Sequence, residues 1–114
     1  MTINSFVSQY ELHDSLLDKV TVDTESQKVI LLVDFCYWMQ KGYTNQQPET
    51  GMVNIIFNDA TFINGPIGEC NSFSILRCIA SSNGVLIVLL DDDTDEYFEL
   101  TIAATSVEIS PVSD

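Results

Sequence analysis

The chain predicts an all-β fold, either an antiparallel β-sandwich or a strongly curved sheet of about seven strands. Three observations lead there. Apolar residues recur at every second position far more often than at helical spacing. Polar connectors and turn-forming pairs separate the apolar runs. Only the N-terminal segment carries a helix-like pattern.

Ser8-x-x-Glu11 fits a capping box, and Phe6, Tyr10, His13 and Leu17 keep near-helical spacing. The competing reading is an irregular lead-in whose aromatics cover one end of the sheet. From Leu16 to Asp23, Leu16, Val20 and Val22 share one face, with Lys19, Thr21 and Asp23 on the other. The connector Thr24-Glu25-Ser26-Gln27 then leads into Lys28 to Met39. There Val29, Leu31, Val33, Phe35, Tyr37 and Met39 alternate as one core face of a long strand. The two runs read as a hairpin.

Gln40 to Gly51 is polar and contains Gly42 and Pro48, which marks either a functional, mobile loop or a solvated crossover. Val53, Ile55 and Phe57 alternate again, continued loosely through Phe62 and Ile63. Asn64-Gly65-Pro66-Ile67-Gly68 is too short and Pro-interrupted for a phosphate-cradling loop and reads as a turn. Phe73 to Ala80 and Val85 to Leu90 flank Asn83-Gly84, the pair favoured in type I′ hairpin turns. Val85 to Leu90 is apolar on both faces, the pattern of a central strand covered on both sides. Phe98, Leu100, Ile102 and Ala104 alternate with Tyr97, Glu99, Thr101 and Ala103. Val107 to Ile109 either extends that strand or forms a short last one.

Residues 1–114 fit one globular β domain, since a chain of this length supports a single core and 46% of it is hydrophobic. That fraction is too high for a disordered acidic tail. The N-terminus has neither the basic region nor the apolar stretch of a secretory signal. Its longest apolar run, Val85 to Leu90, is far short of the roughly 20 residues that span a bilayer. Cys36, Cys70 and Cys78 are an odd number, and Cys36 and Cys78 sit in apolar runs, where free cysteine acts as a small hydrophobe. A reduced, cytoplasmic setting is expected, without a disulfide framework.

Seventeen acidic residues against four basic ones give a formal charge of −13. Such a surface repels nucleic acid and anionic membrane and attracts cations or basic proteins. Lys19, Lys28, Lys41 and Arg77 are too scattered to form a phosphate-binding face. Acidity peaks at Asp91-Asp92-Asp93-Thr94-Asp95-Glu96. Asp91, Asp93 and Asp95 match the first three ligand positions of an EF-hand loop, but Glu96 stands where glycine is needed and Ile102 where the bidentate glutamate is needed. The run is expected at a hairpin tip, with three readings open: a solvated loop, a partner-recognition loop or a weak, adventitious cation site.

His13-Asp14-Ser15 holds the residue types of a hydrolase triad, but contiguous side chains diverge and cannot form the relay. Asp14 or Ser15 is instead expected to bond backbone amides at the turn into Leu16. As the sole histidine, His13 excludes any site needing two. Trp38 points away from the core face of its strand, toward Asp34 and Cys36. It is either an exposed binding anchor or an aromatic covered by the N-terminal segment or a second sheet. The candidate partner-binding residues are therefore Asp91, Asp92, Asp93, Asp95, Glu96 and Trp38. No catalytic residue, cofactor or metal ligand is assigned.

The opening Leu12-His13-Asp14-Ser15-x-Leu17, the strand centred on Val53-Asn54-Ile55-Ile56-Phe57 and the closing Glu99-Leu100-Thr101-Ile102-Ala103-Ala104 carry a resemblance. In their order the chain resembles small uncharacterised bacterial all-β proteins with a His-Asp-Ser opening, some of them similar to immunity proteins of polymorphic toxin systems. The resemblance implies no catalytic residues and a role in binding, with an acidic member blocking a basic toxin domain. The expectation is a non-enzymatic acidic binding protein for a basic client. The alternative is a structural or oligomer-forming module, such as a homodimer, whose charge serves solubility alone.

Overall fold

The computed structural model describes residues 1–112, apart from the side chain of Ser72. The N-terminal pattern folds as a short helix, α1 (Ile3–Gln9). Its cap is Thr2, whose Oγ1 accepts from the Ser5 N–H at 3.1 Å. The capping box at Ser8 and Glu11 is not used, because Tyr10 is already extended and ends the helix. Glu11 Oε1 instead accepts from the His13 N–H at 2.9 Å. Helix α1 plugs one end of the sheet with Phe6, fully buried and edge-on to Phe57 at 6.2 Å.

Eight strands follow: β1 (Leu16–Asp23), β2 (Lys28–Cys36), β3 (Thr50–Asn58), β4 (Thr61–Asn64), β5 (Gly68–Ala80), β6 (Gly84–Asp91), β7 (Glu96–Ala103) and β8 (Ser106–Pro111). They form one antiparallel sheet in the order β4-β7-β6-β5-β1-β2-β3-β8. The fold is thus all-β with one short helix, and Val107 to Ile109 belongs to a separate last strand.

The alternation breaks at bulges in β1, β4 and β5 and at the end of β2. In β1 a bulge between Leu17 and Lys19 shifts the register, so Leu17 joins Val20 in the core while Leu16 turns outward, contrary to the simple pattern. In β2 the core face runs Val29, Leu31, Val33, Phe35 and then stops. Tyr37–Met39 is a single 3-10 turn rather than the continuation of the strand. The reversal at Thr24 to Gln27 is a tight connector, with Asp23 Oδ1 accepting from the Glu25 and Ser26 N–H groups at 3.2 Å and Gln27 left-handed at φ 56°.

The β3·β8 and β4·β7 pairings share one register. Asn58 pairs with Ser106, and past the corner Thr61 pairs with Ala103 and Phe62 with Ile102, as an uninterrupted ladder requires. The β3·β8 ladder thus continues past a bend into the β4·β7 ladder, with the four strands remaining separate. Across the corner, Thr105 donates its N–H to the Asn58 carbonyl at 3.1 Å and its Oγ1 to Asp59 Oδ2 at 2.9 Å. Ala60 N–H bonds the Gln27 carbonyl at 2.7 Å, and Asp59 takes the left-handed turn at φ 47°. The sheet is curled until both ends of its strand order meet at this corner, which encloses a single apolar core.

That core draws Leu17, Leu31, Phe35, Ile55, Phe57, Ile75, Ile87, Leu89, Leu100, Ile102 and Val107 from seven of the strands. The inner positions of β6, Val85, Ile87 and Leu89, are buried, while Leu86, Val88 and Leu90 on its other face are half-buried. Flanking residues on β5 and β7 shield them, Leu90 lying between Ser74 and Tyr97. The doubly apolar pattern of β6 reflects this lateral cover and not a second layer. Asn83-Gly84 does connect β5 and β6, but neither residue has positive φ, so the turn is not type I′. Gly84 is required by proximity: a Cβ there would overlap the Ile102 carbonyl oxygen and the Ala103 backbone.

Candidate functional site: an acidic hairpin beside an aromatic groove

The acidic run forms the β6–β7 hairpin tip, with Asp91 paired to Glu96. Its own polar groups fold it. Asp91 Oδ1 accepts from the Asp93 N–H at 2.9 Å, the Asp95 N–H donates to the Asp91 carbonyl at 2.8 Å, and Thr94 Oγ1 accepts from the Glu96 N–H at 3.4 Å. Asp95 supplies the left-handed residue, at φ 60°. Ser74 Oγ donates to Asp92 Oδ2 at 2.6 Å, which ties the tip to β5. Asp92, Asp93, Asp95 and Glu96 are exposed and Asp91 is half-buried. Among the described residues, none of Asp91, Asp92, Asp95 and Glu96 forms an ion pair with lysine or arginine. Nor are any three His, Cys, Asp or Glu side chains among the described residues arranged to hold a metal ion.

Trp38 is 48% exposed on its 3-10 turn, where its N–H donates to the Glu49 carbonyl at 3.2 Å. Its expected neighbour Cys36 is buried, because the strand ends there and the backbone turns. The structure does not join Trp38 to the acidic run. Asp91 pairs with Phe73, Phe73 with Leu17 and Leu17 with Val33, which sets a common level across four strands. From that level β2 runs on to Trp38 in one direction, and the hairpin tip projects in the other.

Contrary to the expected divergence, the His13 and Asp14 side chains meet, and only Ser15 turns away, into the core. His13 Nδ1 lies 3.0 Å from the Leu76 carbonyl and its Nε2 3.5 Å from Asp14 Oδ1. Asp14 is left-handed at φ 68° and donates its N–H to the Ile75 carbonyl. Ser15 is fully buried, and its Oγ accepts from the Cys36 N–H at 3.0 Å. The expected backbone bond therefore reaches a distant strand instead of the local turn. The three cysteines are free thiols. Burial raises the pKa of all three, that of Cys78 to about 12 with the Glu11 carboxylate adding to the shift. Such thiols are poor nucleophiles.

Next to the hairpin lies a surface groove of about 450 Å³ lined by Asn64, Gly65, Pro66, Phe73, Tyr97, Phe98 and Glu99. Phe73 and Phe98 meet edge-on at 5.4 Å and close the end of the core below the acidic tip. Tyr97 is 70% exposed, and Ile67, in the turn beside Pro66, is 61% exposed. Sequence reasoning missed this groove as a site. Its one visible signal is Tyr97, a large aromatic in the outward-facing set of β7 among Glu99 and Thr101.

Comparison of the chain with family models, with curated proteins and with solved structures returns no match. No helix among the described residues is long and apolar enough to cross a membrane. Class and role therefore rest on the geometry: an acidic, strongly curved β domain with a folded carboxylate tip beside an aromatic groove.

Proposed function

We propose that the protein is a non-enzymatic acidic binding protein that holds a basic protein client at the β6–β7 hairpin, in the manner of an immunity-type inhibitor of a cationic toxin. One observation carries the reading. Five carboxylates, Asp91, Asp92, Asp93, Asp95 and Glu96, are fixed on a folded turn at the rim of an aromatic groove. A charged rim around exposed aromatics is the composition of a binding surface, the aromatics serving as anchors and the charges as steering. Trp38, at the opposite end of the strands, is not part of it.

The alternative, an oligomer-forming module, draws on the same exposed Tyr97, Phe98 and Ile67. Two copies meeting there would bring two carboxylate tips together, which disfavours that arrangement. The test is affinity capture from host lysate with the wild type and with a variant carrying Asn at 91, 92, 93 and 95. The expected result is a basic protein bound in a salt-sensitive way by the wild type and lost by the variant. Equal affinity and an equal salt slope for both proteins would refute the reading, as would a dimer in sedimentation that buries Tyr97.

A further inference from the structure

The groove has an edge as well as a floor. Strand β7 pairs with β6 along its whole length, but with β4 only at Thr101, Ile102 and Ala103. The Glu99 carbonyl accepts from Asn64 Nδ2 at 3.5 Å, so Glu99 directs its backbone groups toward the β4 side. Backbone direction alternates along a strand, and Tyr97 therefore presents its N–H and C=O to the same side. Among the described residues no strand pairs with Tyr97 there. Its own chain does not extend the ladder, because Pro66 lacks an N–H and the chain turns off through Ile67 and Gly68.

We propose that this free stretch of β7, Glu96–Phe98, takes up an extended segment of the client as an added strand, and that the segment alternates basic with aliphatic residues. The inference rests on the reading that the client is cationic and specifies how it is held. A residue placed opposite Tyr97 shares its outward face. There a Lys or Arg meets the Tyr97 ring and the Glu99 carboxylate, a cation–π and charge pairing. The residues on either side of it face the groove floor of Phe73 and Phe98, which suits aliphatic side chains. Charge complementarity selects this occupant over a second copy of the chain, which would set Glu96 and Glu99 against their own counterparts.

The test uses a fluorescein-labelled decapeptide of alternating Lys and Val, with alternating Glu and Val as the control. Two further Lys/Val peptides are N-methylated, one at every Lys and one at every Val. An added strand bonds its neighbour through alternate residues only. The expected result is binding of the Lys/Val peptide, weakening of about tenfold or more on one methylated set and none on the other. Tyr97→Pro, which removes the edge N–H at a position tolerant of proline, should bind more weakly than Tyr97→Ala. If both methylated peptides bind like the parent, edge pairing is wrong and charge alone holds the segment, while the cationic-client reading stands. If no Lys/Val peptide binds although a basic protein is captured at the hairpin, this inference alone falls. If neither binds, both fall.

Discussion

Ser15 Oγ accepts a hydrogen bond from the Cys36 backbone N–H at 3.0 Å, and it does so fully buried. The bond joins the entry of β1 to the exit of β2, where β2 gives way to the 3-10 turn. The Ser15 backbone is engaged as well, its N–H on the Leu12 carbonyl and its C=O on the Ile75 N–H. Ser15→Ala leaves the Cys36 N–H without an acceptor in a dry site, at a cost of about 1–3 kcal/mol. Urea unfolding should show the midpoint falling with an unchanged m-value. An unchanged midpoint would mean that water reaches the amide.

Gly84→Ala places a methyl group on the Ile102 carbonyl and the Ala103 backbone, neither of which is a movable side-chain end. The β6–β7 pairing must open locally to admit it, at a cost of about 1–3 kcal/mol or more. Hydrogen exchange should quicken at Val85, Ile102 and Ala103 before it does so in β1 and β2. Uniform protection like that of the wild type would contradict the close approach.

Cys78 gives an alkaline signature. Burial first, and the Glu11 carboxylate second, raise its pKa from 9.0 to about 12. In the unfolded chain the thiol ionises near 9, so above that pH unfolding releases a proton that the folded state keeps. The stability the thiol contributes is complete below pH 9 and is lost as pH climbs toward 12. Tyrosines and lysines titrate in the same range, so the measurement is a difference. Wild type minus Cys78→Ala should lose stability by up to about 1.4 kcal/mol per pH unit in that window. Parallel curves would show that the thiol is solvated.

The net charge of −13 acts on the whole fold. With so few cations to offset the carboxylates, repulsion within the folded state is relieved as salt shortens the Debye length from about 10 Å at ~0.1 M to about 3 Å at ~1 M. Tm should rise by a few degrees over that range. A falling Tm would mean that attractive pairs dominate the surface.

The sequence and the structure agree most where one face of a strand is continuously buried. Val29 to Phe35 and Val53 to Phe57 have the alternation expected of them, because period two leaves a half-buried strand no other register. Bulges break that logic: the one after Leu17 exchanges it with Leu16, and no local residue type announces it. Asn83-Gly84 marked the β5–β6 hairpin correctly but not its turn type, for a different reason. The glycine is there for contact with β7, a long-range demand that a turn-pair rule cannot see. The acidic tip was legible as a hairpin, since Asp91 and Thr94 supply side-chain oxygens that accept from the backbone N–H groups of the turn. The groove was not, because it joins Asn64 to Pro66, Phe73 and Tyr97 to Glu99 from three separate segments. Trp38 looked like a companion of the acidic run only because sequence carries no measure of which strand ends share a side.

The shared register of β3 with β8 and of β4 with β7 also bears on how the chain reaches its native state. The hairpins β1–β2, β5–β6 and β6–β7 can zip locally, but Val53 must find Pro111 and Phe62 must find Ile102 across long stretches of chain. Closure entropy makes such pairings late and slow. The Thr105–Asn58–Asp59 corner then works as a clasp, fastened after the hairpins have formed.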